Sequence, residues 1–151
     1  MALLRHLAIR CRDMERSRDF YERAIGWKFV DYRPSGLGID MTDGVNNITL
    51  LQQPVECDRP QLEEGNEYIH FGVIVDDLHD CWRRLKEWGA KFSKDNIKRR
   101  DKIPEDWIPE HSFKVLDPDG NIVDVTASTD EWRGAAVPSS HLQSKQQPSR
   151  P

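Results

Sequence analysis

Cysteine is scarce and odd in number: Cys11, Cys57 and Cys81 stand far apart in no CxxC arrangement. That spacing excludes a disulfide framework and a zinc knuckle and leaves free thiols, buried or at the surface. No apolar run approaches the roughly 20 residues needed to cross a bilayer. The chain opens into Leu3-Leu4-Arg5-His6-Leu7 without a signal-peptide core, so a soluble, cytoplasmic protein with no membrane partner is expected. Basic residues are not in excess either. With 22 Lys and Arg against 26 Asp and Glu, the net charge is -4, which argues against nucleic acid as a partner and for a small molecule or a protein. Hydrophobic residues make up only 37% of the chain, but they gather in short runs, so a core is expected beside a polar segment that lowers the average. A chain of 151 residues is one domain's worth and can bury that core without cross-links.

The runs have an order. Leu3 to Cys11 alternates as a strand, with Leu3, Arg5, Leu7 and Ile9 on one side and Leu4, His6, Ala8 and Arg10 on the other. Asp13 is an N-cap for a helix that carries Met14, Phe20, Tyr21, Ala24 and Ile25 inward and stops at Gly26. Trp27 to Tyr32, Gly38 to Met41 and Asn47 to Gln52 read as strands, separated by turns at Pro34 to Gly38 and at Asp43-Gly44. Pro54 to Asn66 is a proline-rich, acidic connector. The pattern then restarts. Tyr68 to Val75 is a strand carrying His70, and Asp76 or Asp77 caps an amphipathic helix with Leu78, Cys81, Trp82, Leu85 and Trp88 inward and Gly89 at its end. Strands follow from Lys91 to Ser93, His111 to Leu116 and Asn121 to Thr126, with a long basic loop from about Lys94 to Glu110 and an Asp117-Pro118-Asp119-Gly120 turn. Both halves read β-α-β-β-β. Two copies of one supersecondary unit are expected to pair and bury one another's exposed faces. The reading is an α+β domain over residues 1–128, with modules at 3–53 and 67–127. A polar tail at 129–151 is too poor in apolar residues to offset its ordering entropy, with Trp132 either an anchor for its start or a solvent-exposed side chain.

The segments HLAIRCRDMERSRDFYERAIGWKF, YIHFGVIVDDLHDCWRRLKEWGAKF and FKVLDPDGNIVDV resemble the vicinal oxygen chelate superfamily of glyoxalases, bleomycin-resistance proteins and extradiol dioxygenases, over about Leu3 to Thr126. The resemblance implies a cupped β-sheet formed by two βαβββ modules, with a divalent metal bound from the first and last strands of both. It nominates His6, His70 and Asp124 as metal ligands and catalytic residues, and places Thr49 at the fourth position. Two imidazoles and one carboxylate leave open positions for substrate, a set that suits Fe(II), Mn(II), Ni(II) or Zn(II). Glyoxalase I relatives carry a glutamate where this chain has Thr49, and a threonine hydroxyl is neither a strong ligand nor a base. Dioxygenase-like or lyase chemistry is therefore favoured over isomerisation. Fosfomycin-type transferases carry a threonine where this chain has Ala8. Extradiol enzymes add a histidine and a tyrosine near the substrate, for which His111 and Tyr68 are the loose matches. Thr49, Trp107, His111 and Phe113 are taken as pocket residues, and Lys98, Arg99 and Arg100 as either a solvated run or a contact for an anionic or aromatic ligand. A homodimer is expected, since short members often pair modules across subunits; if the modules swap, His6 and Asp124 of one site come from different chains, and otherwise from one.

Each residue has a plainer reading. A lone strand histidine is more often packed or hydrogen-bonded than a ligand, and Asp124 could instead form a salt bridge, with Arg5 or Arg10 for example. His79 and His141 read as solvated, and the Asp117 to Gly120 turn as an Asx-stabilised bend. The competing function is a metal-free module that binds a small molecule in the same cup, as bleomycin-resistance proteins do.

Overall fold

Asp13 sits in extended backbone, φ -133° and ψ 100°, and its side chain accepts a hydrogen bond from the Arg16 amide, closing the first turn of α1, Met14–Asp19. The computed structural model describes residues 4–54, 70–92, 108–129, 131 and 134, and the backbone alone at 95–96 and 101–102. Beyond Asp19 the helix widens into a π-helix, Phe20–Ile25, whose wider turn turns Phe20, Tyr21, Ala24 and Ile25 all inward. It stops at Gly26, where φ is 99° and the amide donates to the Tyr21 carbonyl at 2.9 Å. The second helix, α2, Leu78–Trp88, repeats the design with Asp77 as its cap, donated to by the Asp80 amide, and Gly89 at φ 82°. Both caps and both stops are those the sequence predicts.

The strands are β1 His6–Cys11, β2 Lys28–Tyr32, β3 Gly38–Thr42, β4 Asn47–Gln52, β5 His70–Ile74, β6 Lys91–Phe92, β7 Asp95–Asn96, β8 Asp101–Lys102, β9 Ser112–Leu116 and β10 Ile122–Thr126. Two four-stranded sheets result, ordered β1-β4-β3-β2 and β5-β10-β9-β6. In each, the first strand of the module runs parallel to the last, and the others are antiparallel. The α+β reading and the repeat of two βαβββ units are thus realised. One difference lies in the long basic loop, where β7 and β8 pair with each other as a two-stranded ribbon. Tyr68, Lys98, Arg99, Arg100, Trp107, Trp132, His141 and Cys57 lie outside the described residues.

Alternation along the strands gives each sheet an inner and an open face. The inner face of the first carries Ile9, Cys11, Ile39, Met41, Ile48 and Leu50, and that of the second carries Phe113, Val115, Val123 and Val125, all buried in one core with the helices. Each such side chain contributes roughly 1.5–3 kcal/mol by leaving water. The modules are joined through this core. Tyr21 stacks on Trp27 at 4.6 Å between ring centroids, and Trp27 meets Phe71 of β5 at 6.0 Å. Trp88 Nε1 of α2 donates to Asp19 of the first helix at 2.8 Å.

The Asp117 to Gly120 turn does more than reverse the chain. Asp119 accepts from the Arg12 amide at 2.8 Å and from the Ser17 hydroxyl at 2.9 Å, and Asp117 accepts from the Tyr21 hydroxyl at 2.7 Å. Asp117 also accepts from the amides of Asp119 and Asn121, which is the expected Asx pattern. The turn of the second module is therefore clamped to the first strand and helix of the first. Burial pushes the Asp117 carboxyl above its usual value despite the hydrogen bonds from Asn121 and Tyr21 that favour the charged form. Burial likewise pushes the thiols of Cys11 and Cys81 up to about 12 and about 11, so both stay protonated and inert at neutral pH.

Candidate functional site

The open face of the second sheet holds two of the three nominated ligands. His70 on β5 and Asp124 on β10 point the same way because β10 and β5 are in parallel register, with Ile122 beside His70 and Asp124 beside Gly72. Gly72 has no side chain to separate them, and His70 Nε2 lies 3.7 Å from Asp124 Oδ2. Neither side chain is fully exposed, at 30% and 15%. Directly across the hairpin from Asp124 stands Lys114, whose ammonium donates to the same Oδ2 at 2.9 Å. Asp124 is thus salt-bridged, with Lys114 and not with Arg5 or Arg10.

The open face of the first sheet holds the third. His6 on β1 pairs in register with Asn47 on β4, and its Nδ1 is 2.6 Å from Asn47 Oδ1. Thr49 follows Asn47 on the same face, and Asp40 on β3 lies opposite Thr49. The Thr49 hydroxyl donates to Asp40 Oδ1 at 2.6 Å and accepts from the Arg33 guanidinium at 2.9 Å, while Arg33 Nε donates to Asp40 at 3.1 Å. Burial would raise the Asp40 carboxyl, but the bonds from Thr49, Arg33 and Asn47 outweigh it and hold the group below the usual carboxylate value.

Both open faces point away from the shared helical core, so the two halves of the nominated site sit on separate faces. Among the described residues no three His, Cys, Asp or Glu side chains are gathered into a group able to hold a metal ion. His70 and Asp124 are brought together, and His6 is not brought to them within the chain. The donors present suit a metal nonetheless. A gap of 3.7 Å between Nε2 and Oδ2 is one that two metal–ligand bonds of about 2.1 Å span. The Lys114 ammonium bonds the same Oδ2 and would have to yield it to an ion.

The pocket residues fare differently. Phe113 does not line the open face: its ring packs edge-on against Trp82 of α2 at 5.0 Å and against Phe92 at 5.9 Å, because strand parity turns it toward the core while Lys114 faces outward. Thr49 is on the predicted face but fully buried in the Asp40–Arg33 network, so its hydroxyl is already committed. The His111 side chain is 89% exposed, with its Nε2 4.0 Å from Glu110 Oε2, and its carbonyl accepts from the Thr126 hydroxyl. His79, read as solvated, has its Nε2 3.0 Å from the Pro109 carbonyl. Lys114, Asn47, Asp40 and Arg33 were not singled out by the sequence.

A family model described as the Glyoxalase/Bleomycin resistance protein/Dioxygenase superfamily matches residues 3–125. A glyoxalase domain-containing protein of Mycosarcoma maydis is 30% identical over 129 residues, covering 84% of this chain and 69% of its own. A lactoylglutathione lyase of Neisseria meningitidis is 30% identical over 98 residues, covering 61% of this chain and 70% of its own. Among solved structures, the fosfomycin resistance protein FosX from Listeria monocytogenes superimposes with a TM-score of 0.61 at 15% identity, over 88% of this chain and 96% of that one, a likeness of fold alone. The strand order, the paired modules and the matched sequence agree: this chain belongs to the glyoxalase, bleomycin-resistance and dioxygenase superfamily.

Proposed function

We propose that this protein is a metal-dependent enzyme acting on a small substrate with neighbouring oxygen atoms, its divalent ion held by His70 and Asp124 of one chain and His6 of a second copy. The observation that carries the reading is the convergence of His70 Nε2 and Asp124 Oδ2 on an open sheet face, 3.7 Å apart. When bound, a divalent ion of the Fe(II), Mn(II), Ni(II) or Zn(II) class supplies Lewis-acid stabilisation of negative charge that develops on the substrate's oxygens. The chain's own residues orient the donors and set the charge around them. Dioxygenase-like or lyase chemistry is favoured over glyoxalase I isomerisation. Thr49 brings no carboxylate, and its one hydroxyl proton is given to Asp40. Relatives of this chain carry names as different as lactoylglutathione lyase and probable trivalent organoarsenical cleaving enzyme, so the substrate class follows from the site and not from the fold. The protein is read as a cytoplasmic homodimer; the described helices include none long and apolar enough to cross a membrane.

Elemental analysis of protein purified without chelator or histidine tag tests this directly. About one ion per chain is expected in the native protein and almost none in His70→Ala. Native protein that stays metal-free after reconstitution with each of the four ions overturns the reading.

The second reading is a metal-free binding module, and Lys114 favours it, since its ammonium neutralises Asp124 without an ion. The two readings part at Lys114→Met. If the ammonium competes with the ion for Oδ2, its removal tightens Mn(II) binding by roughly tenfold, the size of one charge-assisted hydrogen bond of about 1.5 kcal/mol. Unchanged or weaker binding in a titration shows that Lys114 does not compete with an ion for Oδ2 and removes the observation that favours the metal-free module.

A further inference from the structure

The first sheet's open face carries a chain of polar groups that ends on one nitrogen of His6. Asp40 accepts from Arg33 and from Thr49, and the side-chain amide of Asn47 on the same face favours its charged form. Asn47 Oδ1 lies 2.6 Å from His6 Nδ1 and 3.1 Å from the Thr49 hydroxyl, so the amide oxygen faces His6 and its nitrogen is left to the side of the carboxylate. A reversed amide would aim an oxygen at a carboxylate already rich in negative charge. Thr49 has a single hydroxyl proton, which goes to Asp40 at 2.6 Å and not to Asn47 at 3.1 Å. Asn47 Oδ1 is therefore an acceptor facing His6 Nδ1 at 2.6 Å, and only a protonated Nδ1 makes an attractive contact there. In neutral imidazole the proton on one nitrogen leaves the other with its lone pair.

We propose that Asn47, held by Asp40, is a positioning residue that fixes His6 in its Nδ1–H tautomer, so that Nε2 is presented as an electron-pair donor on the open face. The proposal deepens the reading of His6 as a ligand and rests on it for its functional meaning. It also gives Thr49 a role in place of the family carboxylate. Its hydroxyl bridges Arg33 to Asp40 and so locks the carboxylate against which Asn47 is oriented. Hydrogen-bonded partners behind a ligating histidine set its tautomer and ring orientation, and their loss weakens metal binding by about 10- to 100-fold.

The tautomer is read without any metal, by long-range proton–nitrogen correlation NMR on the metal-free full chain at pH 8, where an ordinary imidazole is neutral. The His6 signals are assigned by their loss in His6→Gln. The native protein is expected to show a pyrrole-type Nδ1 and a pyridine-type Nε2; the reverse pattern overturns the proposal. Asn47→Leu, which has no acceptor, is expected to lose the fixed tautomer, and Asn47→Asp, which keeps one, to retain it. An unchanged tautomer in Asn47→Leu overturns the proposal. Should Asn47→Leu fail to fold, Asp40→Asn leaves Asn47 in place and removes the charge that orients it, and mixed tautomers are expected. Again, an unchanged tautomer counts against the proposal. Mn(II) titration of Asn47→Leu should then show the 10- to 100-fold loss. A native protein that shows Nδ1–H yet binds no Mn(II) overturns the metal reading and leaves the positioning of His6 supported.

Discussion

Asp117→Ala is expected to cost about 1–3 kcal/mol of stability, a large share of the usual margin of about 5–15 kcal/mol. The carboxylate accepts from the Tyr21 hydroxyl, from two backbone amides of its own turn and from the Asn121 side chain at 2.7 Å. Removing it strands the hydroxyl of Tyr21, which is fully buried, and an unsatisfied buried donor carries its full desolvation cost. Tyr21 links the first helix to the second module, so the loss falls on the joint between modules and on the turn together. Chemical denaturation of the variant should give a lower midpoint with an unchanged slope; a midpoint within experimental error of the native one sinks the argument. The pH dependence runs opposite to that of an ordinary salt-bridged carboxylate. Because the folded Asp117 carboxyl is raised, its contribution is full below the unfolded value and diminishes as pH rises through the folded one. Asp43, whose burial is outweighed by bonds from Asn46 and Val45, is lowered. Its contribution is present above the ordinary carboxylate range and is lost as pH falls through the folded value, so the loss of stability in acid comes from lowered carboxylates such as Asp43 and Asp40 and not from Asp117.

The elements were legible because each is marked at both ends by residues with one physical job. Asp13 and Asp77 cap, Gly26 and Gly89 stop, and the hydrophobic spacing between them could form only amphipathic helices. The π-helix at Phe20–Ile25 was hidden. Its adjacent inward pairs, Phe20–Tyr21 and Ala24–Ile25, look like a broad helical stripe, and only the tertiary packing shows that the turn has widened. The docking of the Asp117 turn was also hidden, because an Asx turn and an inter-module clamp use the same residue types.

What was legible was the sheet face on which each nominated residue lies, and not the lining of a pocket. Residues nominated by position within a repeat, His6, His70 and Asp124, all lie on the open faces. Phe113, nominated by its aromatic character, lies in the core, and strand parity could have excluded it: Asp124 is opposite Lys114 in the hairpin, so Phe113 must face the other way. The same hairpin arithmetic about the Asp117 turn identifies Lys114 as the partner of Asp124, and the turn at Asp43 places Asp40 opposite Thr49. No spacing rule reaches Arg33, which lies past the end of β2.

The separation of His6 from His70 and Asp124 makes the second copy testable by mixing two defective chains. If each site takes His6 from one subunit and His70 with Asp124 from the other, His6→Ala and His70→Ala dimers each lack both sites. A mixed dimer then has one site carrying both defects and one site carrying none. Co-expression with two affinity tags and purification through both is expected to yield mixed dimers with about one ion per dimer, while each parent binds almost none; without its imidazole a site loses a donor worth several kcal/mol. The contrast is close to all-or-none, because an intact site is assembled from two unmutated contributions. If each site were instead built within one chain, every chain in the mixed dimer would carry one missing ligand, and mixing would restore nothing. Metal that stays absent from the mixed species, with native dimers loaded under the same conditions, therefore assigns all three ligands to one chain and requires the open faces of its two sheets to close on each other.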